Sequence, residues 1–307
     1  TSVGSAQRMK DVAKLICSGD RNIVVLSAMS GTTNSLVEIS DYLYKKNPDG
    51  ANEIINKLAQ KYYGHIEELY STDEYKQKAK ELVKSHFDYI RTFTKDLFTL
   101  FEEKVVLAQG ELISTGMMNL YLNETGVKSV LLPALEYMRT DKNAEPDPVY
   151  IKERLSKLLN EHKDAELYIT QAYGEIDNLQ RGGSDYSASL IGAALNAEEI
   201  QIWTDIDGMH NNDPRIVDKT SPVRNLHFEE AAELAYFGAK IRHPTCILPA
   251  KLNNIPVRLL NTMQPEAPGT LISNETEKGK IKAVAAKDNI ISIKIKSGRM
   301  LLATGFL

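Results

Sequence analysis

Cysteine is scarce in this chain: Cys17 and Cys246 are the only two among 307 residues. Two thiols cannot build a disulfide framework or a four-ligand zinc site. Both are read as small buried hydrophobes in a reducing compartment. No apolar run approaches the ~18 residues that a membrane span requires. The first residues lack the basic and apolar regions of a secretory signal, so a cytoplasmic location and no membrane partner are expected. Positive charge is not in excess either, with a formal net charge of −4 and a pI near 5.9. That balance argues against nucleic-acid binding, which needs a basic face. Several well-marked sites are missing as well. There is no GxxxxGK followed by Ser or Thr, which excludes a Walker-type nucleotide site, and no GxGxxG, HExxH or GxSxG.

What remains is an ordinary globular composition, 42% hydrophobic and 25% charged. The length suits one large domain, or one domain plus part of another. Short continuous apolar runs at Asn22–Ser27, Ser129–Leu132, Ala165–Thr170, Ile200–Trp203 and Ile255–Leu259 read as buried strands of a parallel sheet. Helical spacing follows or precedes them at Met9–Cys17, Leu36–Tyr44, Ile151–Asn160, Tyr186–Asn196 and Phe228–Phe237. Alternating strands and helices predict an α/β fold, a three-layer α/β/α sandwich with a mainly parallel central sheet. Residues from about 51 to 103, rich in Lys, Glu, Leu and Tyr, read as two or three amphipathic helices inserted as a helical layer. The tyrosines there, Tyr62, Tyr63, Tyr70, Tyr75 and Tyr89, read as packing residues.

Polar loops follow the strands, where open α/β sheets bind ligands. The loop Ala28–Asn34 carries Gly31, Thr32 and Thr33. Glu111 is expected at the start of a helix over Met117–Leu122, either as a dipole-favoured acid or as a carboxylate that receives a ligand ammonium. The stretch Gln180–Leu190 joins Arg181, two glycines, Ser184 and Asp185. Ser184 and Asp185 are good N-cap residues, Arg181 offers a planar fork for a carboxylate or phosphate, and a helix start suits an anion. The same residues also suit an ordinary capped helix after a glycine turn. The acidic loop Thr204–Arg215 lacks the spacing and terminal Glu of a calcium loop, and a nucleotide pocket fits it better.

Read together and in order, several motifs resemble the aspartokinases of the amino acid kinase family. They are Thr1-Ser2-Val3-Gly4, Ser27 through Asn34, Gly110-Glu111-Leu112, Arg181 through Tyr186, Thr204-Asp205 through Asp213-Pro214-Arg215, and Gly238-Ala239-Lys240 with His243-Pro244. The resemblance runs from residue 1 to about 275. It implies transfer of the ATP γ-phosphoryl to the β-carboxylate of L-aspartate, the first step toward lysine, threonine and methionine. A glutamate or acetylglutamate kinase, or a non-catalytic amino-acid-binding relative, is the alternative. By this resemblance Thr33, Glu111, Arg181 and Ser184 bind aspartate. Asp185, Ser184 and Lys240 are the catalytic positions. Thr1, Ser2, Thr204, Asp205, His210, Arg215, Lys240 and Ile241 bind ATP. Magnesium is expected to be held by the nucleotide phosphates, with no protein metal site.

Three departures accompany the resemblance. The family's Lys-Phe-Gly-Gly is expected just upstream of Thr1. His210 replaces a usual tyrosine. The segment between Gln171 and Arg181 is short, as if a stretch were omitted near Ala172. Residues 1–278 are read as the catalytic domain, with its N-terminal strand missing. Residues 279–307 read as the truncated start of an ACT-like α+β regulatory domain, through which the full-length protein is expected to form a homo-oligomer.

Overall fold

A computed structural model of the chain describes residues 2–17, 19–95, 97–143, 145–172, 183–213, 216–236, 244–275, 281–286 and 291. Helix α1 (Ala6–Ile16) starts where Ser5 accepts the Arg8 N–H at 3.2 Å, and buries Ala6, Met9, Val12 and Ala13 along one stripe. Strand β1 (Asn22–Leu26) follows, then α2 (Thr32–Tyr44), α3 (Pro48–Leu69), α4 (Asp73–Thr92) and α5 (Leu100–Glu124). Strand β2 (Ser129–Leu131), α6 (Pro148–Glu161), β3 (Leu167–Gln171) and α7 (Gly183–Leu195) complete the first half.

These strands form a parallel sheet ordered β1-β3-β2, with Leu26 opposite Gln171 and Leu131 opposite Ile169. Side-chain alternation along each strand splits its apolar residues between two cores. Val24, Leu26, Leu131, Leu167 and Ile169 pack into the larger core made with α1 to α5. Ile23, Val25, Val130 and Tyr168 pack the other way, with Ile151 and Leu155 of α6 and Leu190 and Ile191 of α7. Helices therefore cover both faces, and the three-layer α/β arrangement holds.

The second half builds a smaller sheet from β4 (Ile200–Thr204), β7 (Asn225–His227), β8 (Val257–Asn261) and β9 (Thr270–Ser273), ordered β4-β8-β9-β7. Pairs β4–β8 and β7–β9 are parallel and β8–β9 is antiparallel. A short hairpin pairs β5 (Met209–His210) with β6 (Pro222–Val223). Helices α8 (Phe228–Tyr236) and α9 (Leu248–Leu252) cover this sheet through Phe228, Ala231 and Ala250. Strands β7 and β9 escaped the sequence reading because each is short and flanked by polar residues. Helix α7 packs against both β1 and β4, and so ties the two sheets together.

Some expectations need correction. Helix α5 is one continuous helix of 25 residues, opened by a capping box of Thr99 and Glu102. The apolar run Lys104–Ala108 lies inside it, and Glu111 sits mid-helix rather than at a start. A short apolar run suits a buried helix as well as a strand, and only packing decides. Ser184 and Asp185 lie within the first turn of α7, so neither is its N-cap. Cys246 is buried, but Cys17 is exposed. It caps the C-terminus of α1, beyond that helix's last buried residue. Tyr62 and Tyr70 are buried as packing residues, whereas Tyr89 is 47% exposed and only leans edge-on against Phe93. Residues 292–307, expected to continue the regulatory unit, lie outside the described residues. Among the described residues no helix is long and apolar enough to cross a membrane.

Candidate active site

The turn after β1 sets the first wall of the site. Gly31 takes a left-handed φ of 80° at the N-cap of α2, where a side chain would strain the backbone. The Thr32 N–H closes the turn onto the Met29 carbonyl at 3.0 Å. Thr32 is buried, its hydroxyl 2.8 Å from the Tyr62 hydroxyl of α3. Burial pushes the Tyr62 phenol up to about 12. Lys61, one residue earlier on α3, donates to the Ser30 carbonyl at 2.6 Å. Thr33 then follows with its side chain exposed. The helical layer thus holds the turn that presents Thr33.

Helix α5 meets this turn at a glycine. A Cβ added to Gly110 would lie 2.9 Å from Thr32 Cγ2 and 3.0 Å from Ala28 Cβ. Ser114, one turn further, donates to the Ser27 carbonyl at 2.8 Å. These contacts fix Glu111 beside the Thr32-Thr33 turn. Its backbone carbonyl accepts from Ser114 and Thr115. Burial raises its carboxyl from 4.5 to about 7, and no cation among the described residues offsets it. A carboxylate that is mostly buried and lacks a cation is an acceptor awaiting a donor.

Strand β3 lies next to β1 and ends in line with it. Helix α7 starts shortly afterwards with Ser184 and Asp185, both half-buried. Arg181 lies outside the described residues. At the end of β3, Gln171 is 5% exposed and its Oε1 has no hydrogen-bond partner among the described residues.

A second corner forms at the end of β4. The Thr262 hydroxyl donates to the Thr204 carbonyl at 2.9 Å, and Ser2 Oγ donates to the neighbouring Trp203 carbonyl at 3.3 Å. Ser2 and Thr204 therefore come together, with Asp205 next in the chain. Val3, beside Ser2, is buried in the same core as Leu26 and Met29, which links this corner to the turn after β1. Asp207 is taken up structurally: both its oxygens accept from Arg224 at 3.1 Å, and one also accepts the Gly269 N–H at 3.2 Å. His210 lies in the β5–β6 hairpin, its Nδ1 2.8 Å from the Thr220 hydroxyl. Thr1, Arg215, Lys240 and Ile241 lie outside the described residues.

The sequence reading missed the supports. Lys61, Tyr62 and Ser114 act from helices far along the chain, and nothing in their local sequence marks them. Gln171 fell one residue beyond the strand read over Ala165–Thr170, whereas the structure ends β3 on it.

Residues 1–261 match the model of the amino acid kinase family. The lysine-sensitive aspartokinase 3 of Escherichia coli is 32% identical over the whole of this chain, which spans 70% of that protein. Aspartokinase 1, chloroplastic, of Arabidopsis thaliana is 34% identical over the whole chain, which spans 57% of its length. The chain thus spans little more than half the length of that plant protein. Among solved structures, E. coli aspartokinase III in complex with aspartate and ADP superposes with a TM-score of 0.79 at 31% identity. That match covers 91% of this chain and 64% of the other.

Proposed function

Because the chain belongs to the aspartokinase branch of the amino acid kinase family, we propose that it transfers the γ-phosphoryl group of ATP to the β-carboxylate of L-aspartate. A carboxylate oxygen attacks the γ-phosphorus, the bond to the β-phosphate oxygen breaks, and ADP leaves with 4-phospho-L-aspartate as product. The nucleophile is already ionised, so no general base is required, and positioning and charge neutralisation carry the reaction. Magnesium carried in with the nucleotide would supply positive charge at the transferred group; among the described residues no cluster of His, Cys, Asp or Glu would hold it by itself.

The observation that carries this reading is Glu111, a desolvated carboxylate with no cation beside it among the described residues, next to the Gly110 that packs on Thr32. A substrate ammonium is the charge it lacks. In this assignment Glu111 holds the amino group, while Thr33, Ser184 and Arg181 receive substrate oxygens. Asp185 and Lys240 act at the transferred phosphoryl. Ser2, Thr204 and Asp205 line the nucleotide side together with Thr1, His210, Arg215 and Ile241. The reaction opens the route to lysine, threonine and methionine, in a cytoplasmic enzyme. The full-length protein assembles as a homo-oligomer through an ACT-like region beginning near residue 279.

A substrate panel on the full-length protein, reading ADP release, tests the assignment. Turnover is expected with L-aspartate; turnover with glutamate or acetylglutamate alone would reverse it, and binding without turnover would favour a sensor. Arg181→Ala is expected to raise the aspartate KM, and Asp185→Ala to lower kcat more than it changes KM. An unchanged aspartate KM in the first variant, or an unchanged kcat in the second, removes that residue's role.

A further inference from the structure

The central strand of the first sheet ends on a buried amide with one open acceptor. Gln171 closes β3, is 5% exposed, and its Oε1 has no hydrogen-bond partner among the described residues. Buried amide oxygens are nearly always satisfied, and each exception calls for an explanation. The direction of the side chain follows from the strand. Gln171 pairs in parallel register with Leu26, and it stands two residues after Ile169. Leu26 and Ile169 both point into the core formed with α1 to α5, so Gln171 faces that same helical layer. It does so at the end of the sheet where Ser114 of α5 donates to Ser27, the residue after Leu26.

Glu111 lies three residues before Ser114, on the same face of α5. Its carboxyl is desolvated, with no cation beside it among the described residues. Two acceptors, one anionic and one neutral, are thus left open from two sides of one corner. A single ligand satisfies both if it carries several N–H donors and a positive charge, which describes a primary ammonium.

We infer that Gln171 is a substrate-binding residue whose Oε1 accepts a hydrogen bond from the substrate's α-ammonium, alongside Glu111, so that this corner selects for an amino group. The inference deepens the proposed reaction and rests on its amino-acid substrate. It places the selection at the end of a central strand.

The test uses the full-length enzyme and two variants. Gln171→Met keeps the volume and removes the acceptor; Gln171→Glu keeps an acceptor in place. Steady-state KM values for L-aspartate and ATP are measured, with succinate, which is aspartate without its amino group, as a competitive inhibitor. In the Met variant the aspartate KM is expected to rise about ten- to a hundredfold, as for a lost hydrogen bond to a charged group. The ATP KM, the succinate Ki and the ligand-free melting temperature should hold, or the last should rise because a buried unpaired amide is gone. The Glu variant should keep its preference for aspartate over succinate. Equal shifts for aspartate and succinate in the Met variant, or no shift in either, overturn the inference. A wild-type enzyme with no dependence on aspartate overturns the parent reading and this one with it.

Discussion

Glu111→Gln separates the cost of the site from its use. Glutamine keeps the shape of the side chain and removes its charge. The Glu111 carboxyl has an ordinary value of 4.5 and is raised by burial to about 7. At about 1.4 kcal/mol per unit, the ionised carboxylate destabilises the ligand-free fold by roughly 3 kcal/mol as a ceiling. Water at its open side reduces this to about 1–3 kcal/mol. The sign follows from proton linkage. Between 4.5 and about 7 the unfolded chain has released the proton while the folded chain still holds it, so stability falls with rising pH across that window and levels off above it. Glutamine carries no such penalty. The variant should therefore be more stable than its parent by about 1–3 kcal/mol at pH 8, with most of that gain gone at pH 5. Urea unfolding of both proteins without ligands, at the two pH values, measures it. The same variant should lose aspartate-dependent turnover. Equal stability at pH 8, or the same gain at both pH values, would refute the claim that Glu111 is held at a cost for a ligand.

Three further outcomes follow from the same corner. In the parent enzyme the aspartate KM should climb as pH drops below about 7, by up to tenfold per unit, because the ammonium needs an ionised partner; a flat profile between pH 6 and 8 counts against Glu111 as that partner. Tyr62→Phe removes the bond to Thr32. It should lower stability by about 1 kcal/mol and raise the aspartate KM with little change for ATP, read by steady-state kinetics and denaturant unfolding. Gly110→Ala places a methyl 2.9 Å from Thr32 Cγ2. It should cost about 1–3 kcal/mol and weaken aspartate binding; an unchanged melting temperature would show that α5 and α2 have room to part.

The amino-acid sequence determined the strands made of continuous apolar runs and their order along the chain. Runs such as Asn22–Ser27 and Ala165–Thr170 are satisfied by burial on both faces, and the helices between them supply the cover. It also marked the polar turns after the strands, because Gly, Ser, Thr and Asp cluster there, with Thr33, Ser184, Asp185 and Thr204 among them. Tertiary structure decided what local patterns leave open. The spatial order β1-β3-β2 puts the ends of β1 and β3 side by side. Helix α5 runs unbroken from Leu100 to Glu124 with Glu111 in its middle, and Gly110 lets it pack closely on Thr32. Lys61, Tyr62 and Ser114 became supports of the site only through contacts that cross tens of residues. Whether a buried polar atom finds a partner is likewise a property of the assembled fold. The bare oxygen of Gln171 and the raised carboxyl of Glu111 are invisible in the chain because each depends on what the surrounding elements fail to provide.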